Sequence, residues 1–228
     1  MKKILLLGGI LAALVPASNA MADQGGGFCQ LDGNATFKTP LAVNTPSPTP
    51  SVPGGPSVPQ EVDWGTPFEY SFDGTLSNCT GFDSGGPADV PTDGDIYAGE
   101  NITIGGVAYQ WPFATPTGKG GCTGSHTDGK SIVIWADGTA SVINYSTDGA
   151  AAAVGLTGSF NSGALALSSV EKNADGTPKF TKSFSSLRYG GDYTGGPLAF
   201  EPPDPTACNG AGVSTAGIQG VIGRGNYS

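Results

Sequence analysis

An all-β fold is predicted for this chain: an antiparallel two-sheet β-sandwich, or a flattened barrel, with two disulfides and a proline-rich loop insertion. Three observations predict it. Apolar and polar residues alternate in short runs, the signature of strands with one buried face. The 38 glycines and 18 prolines punctuate those runs at short intervals, as turns do in sandwiches and barrels. No segment carries a sustained apolar period of 3.6 residues, so nothing longer than a helical turn is expected.

The elements follow in order. Lys2 and Lys3 precede an apolar run from Ile4 to Val15, and Ser18-Asn19-Ala20 places small residues where a signal peptidase reads. Residues 1–20 are therefore read as an export leader, with cleavage after Ala22 as the alternative. Its apolar stretch of about a dozen residues is shorter than the roughly 20 that span a bilayer. Residues 23–228 then suit a single secreted β domain with no membrane span.

Within it, Cys29, Leu31, Ala35 and Phe37 share one parity against Gln30, Asp32, Asn34, Thr36 and Lys38, which gives a half-buried strand over 28–38. Residues 44–60 hold Pro46, Pro48, Pro50, Pro53, Pro56 and Pro59. So many missing backbone donors suit a flexible insertion, not a central strand. The clearest strand sets Phe68, Tyr70, Phe72 and Leu76 against Glu69, Ser71, Asp73, Thr75 and Ser77, ending near Cys79. A loop over 80–95 and short strands at 96–98 and 101–104 come next. Ser131–Ala136 is apolar on both parities, which predicts a central strand covered on both faces. Asp137-Gly138 turns it back into Thr139–Tyr145. A further turn is expected at Asp148-Gly149, a helical turn at 150–154, and short strands at 164–170, 180–187, 197–200 and 217–222.

The formal net charge is −9, and losing Lys2 and Lys3 with the leader makes the remainder more acidic. No basic stripe is present, so nucleic acid and anionic membrane surfaces are excluded as partners. Cys29, Cys79, Cys122 and Cys208 lie in an exported chain, where thiols oxidise. Four cysteines allow three connectivities. Cys79–Cys122 with Cys29–Cys208 is favoured, because the second bridge would tie the domain's ends together.

Candidate chemistry is sparse. His126 is the one histidine; its neighbour Ser125 would point to the opposite face of a strand, and no Gly-x-Ser-x-Gly elbow occurs. No two glutamates are placed as a glycosidase pair. The chain is therefore read as a non-enzyme. Asp93 and Asp95, with Glu100 close behind, offer hard oxygens that a calcium ion takes, although Asp-Gly is first a turn dipeptide. Tyr109, Trp111 and Phe113, with Trp64, form the aromatic group that would stack on a sugar ring if exposed. The bland alternative places Trp111 as a plug at one end of the sandwich, and Trp135 is read as core.

Three segments together resemble a group of uncharacterised secreted proteins of Gram-positive bacteria. They are Phe68–Cys79, the Trp135–Thr139 hairpin, and Leu198–Pro202 leading to Cys208. The resemblance spans residues 28–222 loosely, and it implies a disulfide-tied β domain without assigning any site residue. The expectation is thus a secreted structural or interaction module whose partner the sequence does not name, an extracellular protein or a cell-surface polysaccharide. The alternative is a carbohydrate-binding protein, calcium-assisted, that engages cell-surface polysaccharide.

Overall fold

The alternation that begins at Cys29 builds a fifteen-residue strand, β1 (Gly27–Leu41), buried at odd positions from Cys29 to Phe37 and exposed at even ones. The computed structural model describes residues 27–43, 47–48, 62–63, 65–80 and 93–225. After β1, two short strands, β2 (Ser47–Pro48) and β3 (Val62–Asp63), pair with each other. The rest of the proline-rich segment 44–60, residues 1–20, where the export leader is expected, and Trp64 lie outside the described residues. There follow β4 (Pro67–Thr80), β5 (Gly94–Ala98), β6 (Ile102–Ile104), β7 (Val107–Tyr109), β8 (Thr117–Gly121) and β9 (Gly124–Trp135). Then come β10 (Ala140–Ala150), β11 (Ala153–Phe160), β12 (Leu165–Ser168), β13 (Thr181–Phe184), β14 (Tyr193–Glu201) and β15 (Val213–Gly225). One 3-10 turn, Ala207–Asn209, is the only helical element among the described residues.

The all-β expectation holds, and of the two forms expected the main sheet takes the barrel, closed on itself, in place of the two-sheet sandwich. Its order runs β1-β15-β14-β11-β10-β9-β5-β4, and β4 pairs back onto β1. The closing seam joins the first and last strands antiparallel, from Gly27↔Arg224 to Thr36↔Thr215. Every stave therefore has a neighbour on both sides, which removes the edges that a sandwich must leave. Between β4 and β9 one stave is built from two half-strands: β5 pairs with them toward Trp135, and β8 pairs with them toward Gly124. Pro116, fully buried, fills the joint, and its carbonyl accepts a hydrogen bond from the Tyr70 amide at 3.2 Å.

Outward residues are polar over most of the wall: Gln30, Asp32, Asn34 and Lys38 on β1, Glu69, Asp73 and Thr75 on β4, Asn144 and Asp148 on β10. A barrel that spans a membrane has the opposite arrangement, apolar outside and polar within. One patch of the outer wall is apolar, and it is covered. The β6–β7 and β12–β13 hairpins fold over Ile132, Ile134, Ala140 and Val142 and bury them with Ile102, Tyr109, Leu165, Leu167 and Phe184. This explains why residues 131–136 are apolar on both parities: Val133 and Trp135 fill the barrel while Ile132 and Ile134 form an external second core.

At the β1–β4 seam, Gly33 and Gly74 face each other in register. The Phe72 ring lies over them, so a Cβ on Gly33 would fall 2.5 Å from its tip and 2.4 Å from the Asp73 carbonyl oxygen. The two glycines let the strands approach closely where the wall must curve.

Two local expectations are corrected. Asp148-Gly149 is no turn; both residues continue β10, paired with His126 and Ser125 of β9. The chain reverses at Ala151-Ala152 instead, where Ala151 takes φ 54°, so the expected helical turn over 150–154 is a hairpin turn. The disulfides are Cys29–Cys79 and Cys122–Cys208, not the favoured pairing. Strict alternation from Phe68 would point Cys79 outward. A bulge at Asn78, whose φ is 51°, shifts the register between Phe28 and Gln30 and turns Cys79 inward onto Cys29. Cys208 lies beyond the far end of the barrel, most of the length of β1 from Cys29. At about 3.3 Å per residue that distance exceeds the roughly 7 Å a disulfide spans. Cys208 meets Cys122 there, in the β8–β9 turn.

Candidate functional site

Inward side chains do not fill the barrel. A cavity of about 120 Å³ remains, lined from all around the wall by residues such as Leu31, Phe37, Phe68, Leu156, Leu198 and Ile218. Among the described residues no charged side chain lines it. One end of the barrel is plugged below the cavity: Trp135, Phe160 and Tyr189 meet edge to face, with ring centroids 5.7 and 5.5 Å apart. Buried Arg224 lies over the Tyr189 ring at 4.6 Å, and its Nε donates to Asp192 at 2.6 Å. At the other end the lining reaches Leu41, Ser125 and Val154, level with the turns.

The lumen wall is two-sided chemically. Most of it is aliphatic or phenyl, but β9 and β10 turn Ser125, Thr127, Ser131, Tyr145 and Thr147 inward, and β4 adds Tyr70. Four of these hydroxyls form a chain. The Tyr70 and Tyr145 oxygens are 2.7 Å apart, Tyr70 Oη donates to Thr127 Oγ1 at 3.2 Å, and Thr127 Oγ1 lies 2.7 Å from Thr147 Oγ1. Thr127 and Thr147 meet because β9 and β10 pair them directly. Gly129 leaves the room: a Cβ there would lie 2.7 Å from the Tyr145 hydroxyl. Burial pushes the Tyr70 phenol up to about 12, and burial with the adjacent Tyr70 holds Tyr145 well above its ordinary value. Both phenols stay neutral at any physiological pH. None of these hydroxyl residues was legible as a site; Tyr70 reads from the sequence only as a core aromatic.

Of the residues singled out from the sequence, Ser125 lines the lumen and the other described ones lie outside it. Ser125 and His126 turn to opposite sides of the wall, as adjacent strand residues do. His126 is on the outer face, Nδ1 2.8 Å from Asp148 Oδ1 and Nε2 3.1 Å from Asp128 Oδ2. It is thus a strand residue clasped by two carboxylates. The Asp148 hydrogen bond, with the Asp128 charge, raises its pKa above the ordinary 6.5 against the opposing effect of partial burial. The folded chain therefore holds this proton more tightly than the unfolded chain. The resulting stabilisation is complete below pH 6.5 and is lost as pH rises through the folded value. Urea unfolding at pH 6 and pH 8 is expected to show the difference, at most about 1 kcal/mol for so exposed a group, and His126→Gln should abolish it.

Tyr109 is buried in the external core. Trp111 and Phe113 are half-buried and perpendicular, at 5.4 Å and 82°, and the Trp111 indole donates to the Ala114 carbonyl. They cap the outer hairpins and offer no shared flat face; Lys130 Nζ also sits 4.9 Å from the Phe113 ring centre. Of the acidic group, Asp93 and Asp95 rim an external groove of about 400 Å³. Glu100 instead stands beside Ser71 and Asp73, and burial with the Asp73 charge raises its pKa. No three His, Cys, Asp or Glu side chains gather as a metal site among the described residues. Compared with known proteins, the chain matches no family model, no curated sequence and no solved structure.

Proposed function

We propose that this chain is an exported, non-enzymatic binding module that holds a small apolar molecule inside its barrel. The observation that supports this best is the cavity of about 120 Å³, lined from the whole wall by described residues with no charge among them. Close-packed interiors leave few voids larger than a water, and a barrel of eight staves is the size that either fills itself or holds one small ligand. An apolar cavity of about 150 Å³ in another protein takes benzene, so the volume suits a single ring or a short branched chain. The two disulfides fit the extracellular setting that the leader suggests. Ser125 inside the wall and His126 outside it make no nucleophile–base pair, which supports the binding reading.

Benzene titrated onto the folded protein is the test. Saturable binding is expected to raise the melting temperature, by the linkage between ligand affinity and stability. Ala35, buried and part of the lining, gives the control: Ala35→Leu fills the void, and the shift should vanish. Equal responses in the two proteins, or none in either, would remove the lumen as a binding site.

A further inference from the structure

The hydroxyl chain in the lumen has a proton to spare. Tyr70, Tyr145, Thr127 and Thr147 carry one hydroxyl proton each, and three hydrogen bonds join the four oxygens. Each bond uses one proton, so one of the four is left whichever way the chain is oriented. No further hydrogen bond of these four side chains is found among the described residues, and all four line the cavity. Among the described residues the rest of the lining is aliphatic and phenyl apart from Ser125 and Ser131, whose hydroxyls bring a further proton for each one they accept. A hydroxyl proton facing an apolar space costs free energy until something accepts it.

We propose that the lumen selects neutral apolar molecules bearing one hydrogen-bond acceptor, such as a ketone, aldehyde, ester or ether oxygen, which takes the spare proton of the Tyr70–Tyr145–Thr127–Thr147 cluster. The proposal rests on the lumen being the binding site and specifies what enters it. Charged ligands are disfavoured because no described residue lining the cavity carries a countercharge. A pure hydrocarbon gains the apolar contacts but leaves the proton unmet. A molecule whose polar group only donates makes no use of it. Neutral phenols are what this arrangement requires, and burial keeps both tyrosines in that form.

Cyclohexanone and methylenecyclohexane differ only in C=O against C=CH2 and separate the two claims. Binding of each is measured calorimetrically to the wild-type protein and to the variant Tyr70→Phe/Tyr145→Phe/Thr127→Val/Thr147→Val. That variant replaces every partner at once by an apolar group of similar shape, which is the form of substitution a fold tolerates. The expected result is that the affinity ratio of ketone to alkene falls by up to about tenfold in the variant, the worth of one hydrogen bond. The carbonyl stretch of cyclohexanone on the wild-type protein should lie below its position in hexane and return to it in the variant. If both compounds bind with the same ratio to both proteins and the band sits at its hexane position, the acceptor claim is wrong while lumen binding stands. If neither compound binds the wild-type protein, the lumen reading falls and the selectivity with it. Should the variant not fold, the band position on the wild-type protein decides alone.

Discussion

Replacing Trp135 by alanine is expected to destabilise the protein by about 3–5 kcal/mol, the cost of emptying a large aromatic site that cannot collapse. Collapse is barred because the ring is held from several directions. It is 1% exposed, packs with Cys29, Leu76 and Ile96, and meets the Tyr189 ring edge on. Its indole nitrogen donates to Ser141 Oγ at 2.9 Å, and that hydroxyl in turn donates to the Arg188 carbonyl. The alanine variant therefore loses both apolar burial and the hydrogen bond that orients the 188–192 loop over the barrel end. Trp135→Phe isolates the second part, with an expected loss of about 1–3 kcal/mol from the Ser141 contact and the smaller ring. Urea denaturation of the three proteins checks the order. A loss under about 1 kcal/mol for the alanine variant, ordinary for surface positions, would show that the plug is not a packed core.

Removing the Cys29–Cys79 bridge as a pair of alanines is expected to cost more than removing Cys122–Cys208, although it closes the shorter loop. The sequence separations are 50 and 86. In the chain-entropy account that difference favours the longer loop by only about 0.5 kcal/mol, set against a total of about 2–5 kcal/mol for either bridge. Burial reverses the order. Cys29 is 0% and Cys79 8% exposed, inside the barrel's core cluster, whereas Cys122 and Cys208 are half-buried among the turns. The inner pair therefore loses packing as well as the cross-link. Denaturation of the two double variants measures the difference directly. The opposite order would mean that loop entropy outweighs packing here.

Much of the strand framework is local and so was legible. The parity of Cys29 to Lys38, the aromatic alternation from Phe68, and the doubly apolar stretch at 131–136 each specify a strand and its buried face without reference to the rest. What failed depends on partners distant in sequence. Nothing within 27–41 or within 213–225 says that each pairs with the other, and that single pairing separates a barrel from a sandwich. Asn78 changes the parity of one cysteine, and with it the disulfide map, by adopting a φ of 51° that its neighbours do not announce. Asp148-Gly149 has turn chemistry, but Asp148 is held in the strand by His126 across the ladder. The lumen site was hidden for the same reason. Thr127 and Thr147 are ordinary polar strand residues until the β9–β10 register sets them opposite each other and the closed wall turns both inward.

The seam between β1 and β15 also fixes when the barrel comes into being. Its pairs, beginning with Gly27↔Arg224, span nearly the whole described chain, and contacts so far apart along the chain form slowly because loop entropy is lost before they can reward it. Until residues 213–225 arrive, β1 has only one of its two neighbours, β4, and its other edge can pair with any strand that passes. The finished molecule offers no such edge at this seam. The hazard of association with other copies thus belongs to the chain still being made or still unfolded, and it ends when the last strand docks.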